Sequence, residues 1–193
     1  PMNERWLHIP RIILTFLLIV GVQPLIVEGL LLLLGVALLY RNQGPYNGGS
    51  DRMSLLLLFC LLMSHVAPTR QWQEIALGYL AIQLLMSYAV SGWVKLSNPD
   101  WRSGQALIDV FAFSAYPVSE RLRSLAKMPA LLLTLSWTLM LFEALFPLAL
   151  LDGTLLKAAL AVAGLFHLIN GCVFGLNRFL WIWIAAYPCL LWF

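Results

Sequence analysis

Long apolar runs, interrupted at a few points by proline, glycine and charge, set the pattern of this chain. From Ile9 to Tyr40 nearly every position is apolar. One helix over residues 9–40 would be about 48 Å long, well beyond a hydrocarbon layer of roughly 30 Å. The break falls at "GVQP", Gly21 to Pro24, and predicts a first helix over about 6–20 and a second over 24–41, joined by a tight hairpin. The loop "RNQGPYNGGSD" leads into a third helix over about 52–67, with Ser50 or Asp51 as its cap and Pro68 as its stop. A fourth spans about 72–96 and ends at "SNPD", because Pro99 biases Asn98 away from helical torsions. Trp72 and Trp93 mark its two interfaces. Residues 101–127 mix apolar and charged positions and read as one or two amphipathic helices on the membrane surface, divided at Pro117. Three further spans follow, at about 129–151, 154–174 and 178–192.

The expected fold is therefore all-α. It is a single integral membrane domain over residues 1–193, a polytopic bundle of about seven transmembrane helices with an amphipathic surface segment between the fourth and the fifth. None of the runs alternates as a membrane barrel strand would. Composition agrees: the 193 residues are 61% hydrophobic and 11% charged, with a mean hydropathy of +0.84, more apolar surface than a water-soluble fold of this length could bury. No cleavable signal is expected at the start, since "PMNERWLHIPRIILTF" carries an acid and no small-residue cleavage site.

Charge changes the picture by giving orientation. In the seven-helix arrangement Arg5, Arg11, Arg41, Arg52, Lys95, Arg102, Arg121, Arg123, Lys127 and Arg178 fall on the N-terminal side, and only Arg70 and Lys157 opposite. By the positive-inside rule the N-terminus is expected to be cytoplasmic and the C-terminus outside, which for a bacterial inner membrane is the periplasm. A formal net charge of +3, dispersed in this way, excludes nucleic acid as a partner and leaves membrane lipids and other membrane subunits. Cys60, Cys172 and Cys189 lack paired spacing and read as core or lipid-facing residues. Trp181, Trp183 and Trp192 read as interfacial aromatics.

Ionisable groups inside a bilayer cost at least ~2.5 kcal/mol each on insertion scales, so each calls for a reason. Glu28, Lys95, Glu143 and His167 lie inside apolar runs, with His65 and Glu74 nearer the ends. On the fourth helix Gln83, Ser87, Ser91 and Lys95 recur every fourth position, with Tyr88 beside them and Gly92 allowing close approach. One reading is helix packing, with Lys95 snorkelling its amine into the headgroups. The sharper reading is a polar cavity that ends in a desolvated amine able to act as a base. Glu143 and His167, on the fifth and sixth spans, fall at depths about a turn apart, where they could hydrogen-bond; Asn170 follows one turn after His167. Two such groups do not make a metal site. Glu28 reads as a packing residue, and the "YNGGSD" turn as a bend whose exposed N–H groups could hold an anion.

The segments "YNGGSDRMSLLLLFCLL", "YLAIQLLMSYAVSGWVKLSNPDWRSGQALIDVF", "FEALFPLALL" and "LFHLINGCVFGLNRFLWIWIAAYPCLLW" resemble, in order and spacing, a membrane domain shared by vitamin K-dependent gamma-carboxylases and many bacterial homologues, the horizontally transferred transmembrane (HTTM) domain. The resemblance runs from about residue 40 to the end. Its most specific part is Gln83, the small-residue patch from Tyr88 to Gly92, Lys95-Leu96, Trp101 and Gly104. It implies that Lys95 is the base that activates a reduced quinone, with Gln83, Ser87, Tyr88 and Ser91 lining a quinone pocket; Glu143 and His167, singled out above by their own positions in apolar spans, join Lys95 as candidate catalytic pocket groups. Relatives include a bacterial membrane protein needed to mature a secreted peptide toxin, which implies peptide modification as another family role. Two functions follow as expectations. One is a small membrane protein that binds a quinone or lipid-like molecule and carries out redox-linked modification with Lys95 as base. The other is a non-catalytic structural or assembly subunit of a larger respiratory or photosynthetic membrane complex.

Overall fold

A computed structural model of the chain describes residues 5–41, 49–114 and 119–192, with backbone alone for residues 5–7. The described residues are helical, with no strand among them. Among the described residues five helices are long and apolar enough to cross a membrane: α2 (Pro24–Arg41), α3 (Gly49–Val66), α4 (Arg70–Ser97), α8 (Pro129–Leu145) continued by a 3₁₀ segment to Leu151, and α9 (Gly153–Phe174). The helix α1 (Arg5–Ile19) contains a shorter apolar stretch, His8–Ile19, and α10 (Asn177–Ala186) and α11 (Pro188–Leu191) are shorter still. Between α4 and α8 lie α5 (Pro99–Arg102), α6 (Gln105–Phe113), α7 (Glu120–Arg123) and a 3₁₀ turn over Ser124–Lys127. The expected break at Pro117 and the Tyr46–Asn47–Gly48 part of the expected anion-holding turn lie outside the described residues.

By its internal contacts the chain divides into two units, residues 1–81 with 192–193, and residues 82–191. In the first, α1 and α2 form the hairpin that "GVQP" predicts. Gly21 takes φ +78° and Gln23 φ +43°, and the Gly21 and Val22 amides donate to Leu18 and Leu17 carbonyls, which satisfies groups left open at the end of α1. Helix α3 packs on α2 and begins at Gly49, so Ser50 and Asp51 sit inside its first turn instead of capping it. An acidic residue in that turn still complements the helix dipole.

In the second unit Asn98 caps α5, its side chain accepting from the Asp100 amide at 2.8 Å, and Gly104 at φ +79° turns the chain into α6. A Cβ at Gly104 would stand 2.9 Å from Leu133 Cα, so the turn lies directly against α8. Ser136 donates to the Trp101 carbonyl at 2.5 Å and Trp137 Nε1 to the Arg102 carbonyl at 3.1 Å. The Trp101 carbonyl also accepts from the Gly104 amide at 3.1 Å, and the two side-chain bonds tie the segment after α4 to α8. Asp152 caps α9 through the Thr154 and Leu155 amides, both at 2.9 Å, and Gly175 at φ +72° closes it. The core of this unit holds Leu84, Leu132, Met140 and His167, all fully enclosed.

Candidate functional site

Two polar centres occupy the second unit, and both begin on α4. The first forms around Lys95. Its amine turns inward: the side chain is 16% exposed and ion-paired with Glu143 of α8, itself 5% exposed. The amine also donates to Ser91 Oγ at 2.5 Å, one helical turn back on the same face, and lies 5.3 Å from the centre of the Trp101 ring, within reach of a cation–π contact. A snorkelling lysine would point into headgroups; this one is held by a carboxylate, a hydroxyl and an indole.

Gly92 makes that pairing possible. A Cβ there would stand 2.7 Å from Ala144 Cα and 2.8 Å from the Glu143 carbonyl carbon, inside any real contact, so the helices cross where α4 has no side chain. The close approach brings Glu143 within reach of a lysine on the next turn.

The second centre lies earlier on α4. Tyr88 Oη is 2.8 Å from His167 Nε2 on α9 and 3.1 Å from Tyr187 Oη, which follows α10. The Tyr88 ring stacks on Phe146 at 4.2 Å, and the His167 ring is bordered by Phe166, Phe179 and Trp183 at centroid distances of 5.1, 5.8 and 5.4 Å. All three polar side chains are buried.

The structure thus separates residues that the sequence groups together. Glu143 and His167 do not bond to each other: Glu143 pairs with Lys95 and His167 with Tyr88. Their similar depth is a property of each helix alone, whereas the partner is set by the face each presents to α4. Ser87 donates to the Leu84 carbonyl of its own helix at 2.7 Å, a common way for a mid-helix serine to spend its proton, and Gln83 is half-buried. Asn170 bonds back to the Phe166 carbonyl. Trp181 and Trp192 are exposed, but Trp183 is buried and stacks on Phe179 at 4.2 Å; it is a core ring, because Leu180, Trp183 and Ala186, spaced three apart, share the inward face of α10. Among the cysteines Cys60 and Cys189 are buried and Cys172 is exposed.

In the first unit Glu28 has a partner that its own helix does not disclose. It is 3% exposed and meets His65 Nδ1 of α3 at 2.7 Å, with His65 48% exposed. The available signal was an acid in the second turn of one apolar helix and a histidine in the last turn of the next, which an antiparallel hairpin brings level. Glu74 pairs with Arg70 one turn away. This unit also holds a largely apolar cavity of about 380 Å³ whose lining includes Phe59, Met63, Trp72 and Tyr79. A family model, described as the HTTM domain, matches residues 62–192. No curated protein and no solved structure matches the chain.

Proposed function

The chain belongs to the HTTM domain family of membrane proteins, and from that premise we propose that it binds a quinone or similar lipid-soluble molecule and carries out a redox-linked modification with Lys95 as base. The observation that carries this reading is the inward amine of Lys95, bound to Glu143 and Ser91 beneath Trp101. These residues suit such a molecule. Lys95 Nζ and Ser91 Oγ provide adjacent polar atoms for a ring oxygen, and Trp101 provides a flat apolar face for the ring. A quinone, when bound, supplies the two-electron chemistry that no protein side chain here can.

The chain's own part is proton handling. A proton exchanged across the Lys95–Glu143 contact leaves either an ammonium beside a carboxylate or an amine beside a carboxylic acid. The second form offers a nitrogen lone pair to a substrate hydroxyl, while Ser91 holds the amine in position and Trp101 keeps water away. In this reading Glu143 is the proton partner of the base, and Tyr88 and His167 form a second polar centre beyond Gly92. The same reading takes α1 and the stretch from α10 to α11 as two further membrane segments, making seven, with residues 101–127 at the surface of a bacterial inner membrane.

The test is to extract the protein from its native membrane in mild detergent and identify bound lipids by mass spectrometry. A quinone near one per chain is expected, reduced at least severalfold in Lys95→Met with helical content unchanged. Wild-type protein free of quinone would remove the reading.

A second reading is supported by the same pair. Lys95 and Glu143 neutralise each other without any ligand, as two groups cementing a helix contact would, which suits a non-catalytic subunit of a larger respiratory or photosynthetic complex. It expects stoichiometric protein partners in the same extract and no small molecule.

A further inference from the structure

The second polar centre has one atom unaccounted for. His167 is 1% exposed, and its Nδ1 has no hydrogen-bond partner among the described residues. Buried polar atoms are nearly always paired, so an orphan asks what satisfies it.

Proton counting narrows the answer. Tyr88, Tyr187 and a neutral His167 have one proton each to give and share two contacts. When Nε2–H donates to Tyr88, Nδ1 is left with a lone pair. When Tyr88 donates to Nε2, Nδ1 is left with an N–H. A carbonyl could serve only the second arrangement, whereas a hydroxyl serves both. Water is also a hydroxyl, but a buried water needs two to four polar partners, and the rings of Phe166, Phe179 and Trp183 that border His167 line it with apolar faces.

We propose that His167 anchors a second ligand site, which takes a neutral and largely apolar molecule bearing a hydroxyl group, held by one hydrogen bond to Nδ1 and by ring contact with Phe166, Phe179 and Trp183. Phe166 and Phe179 are half-buried, whereas Trp183 is buried, so the two phenylalanine rings are the ones expected to give way to an entering molecule. The site uses neither Lys95 nor Glu143, and it stands or falls apart from the function proposed for them.

The chain has three histidines, so its imidazole nitrogens are resolvable by ¹⁵N NMR in lipid nanodiscs, with His8→Gln and His65→Gln identifying the other two. Phenol is the probe, and toluene is the control for partition into lipid. Phenol is expected to shift His167 Nδ1 saturably, with Nε2 little changed, and to bind up to about tenfold more tightly than toluene, the advantage of one net hydrogen bond. Equal responses to both compounds would mean partition only and overturn the proposal. So would an Nδ1 already hydrogen-bonded without probe and indifferent to phenol, which would identify an internal water.

Discussion

At the scale of single residues the decisive quantity is the cost of leaving one member of a buried pair alone. Lys95 and Glu143 are both largely enclosed, and removing one partner of such a pair leaves an uncompensated charge worth roughly 3–5 kcal/mol. We expect Glu143→Leu and Lys95→Met each to lose close to that much stability, and the double replacement to recover most of it. Reversible unfolding in mixed micelles measures the cycle, and additive losses would show that the pair does not act as a unit. A smaller effect is expected at Tyr88→Phe, which deprives His167 Nε2 of its partner and should cost about 1–3 kcal/mol by the same assay. Sequence alone identified Lys95, Glu143 and His167 as needing explanation, because ionisable groups in apolar runs are costly wherever they end up. It could not assign partners: Tyr187 drew no notice, since a tyrosine near the end of an apolar helix is ordinary at an interface.

At the scale of elements, helix crossings decide which faces meet. Gly92→Ala would drive a methyl into the backbone of Glu143 and Ala144. We expect α4 and α8 to separate at a cost of about 1–3 kcal/mol, the usual penalty of overpacking, with loss of the Lys95–Glu143 pair. A lower melting temperature and a Lys95 amine newly reactive to acylating reagents would check both effects; an unchanged reactivity would mean that the crossing does not hold the pair. Most helix limits were legible, since proline, glycine and capping residues act locally: α2 begins at Pro24, and α4 stops at Ser97 before Asn98 and Pro99. The expected span over 129–151 is present as Pro129–Leu151, but its change of helix type was not legible: it is α-helical to Leu145 and 3₁₀ from Phe146, because Pro147 lacks the N–H that an α-helical turn would use.

For the whole molecule the strongest constraint is solvent. Apolar side chains such as Ile12, Phe16, Leu33, Trp93 and Trp181 are more than half exposed, as expected of a surface that meets lipid and not water. Orientation gives a testable consequence. With native cysteines replaced, Thr69→Cys should react with an impermeant maleimide in intact cells, and Ser124→Cys only after the membrane is opened. The reverse pattern would invert the positive-inside assignment.

The sequence by itself determined that this chain lives in a membrane, that it is built of helices, where most of them start and stop, and which family it resembles, because hydropathy and helix punctuation are local properties of neighbouring residues. Only the tertiary structure decided that Lys95 turns inward to Glu143, that His167 joins Tyr88 and Tyr187, that Glu28 meets His65, and that Trp183 is a core ring. The spacing of residues along one helix fixes the face they share. Which side chain waits opposite depends on how closely another helix can approach, and at Gly92 that distance is set by a side chain that is missing.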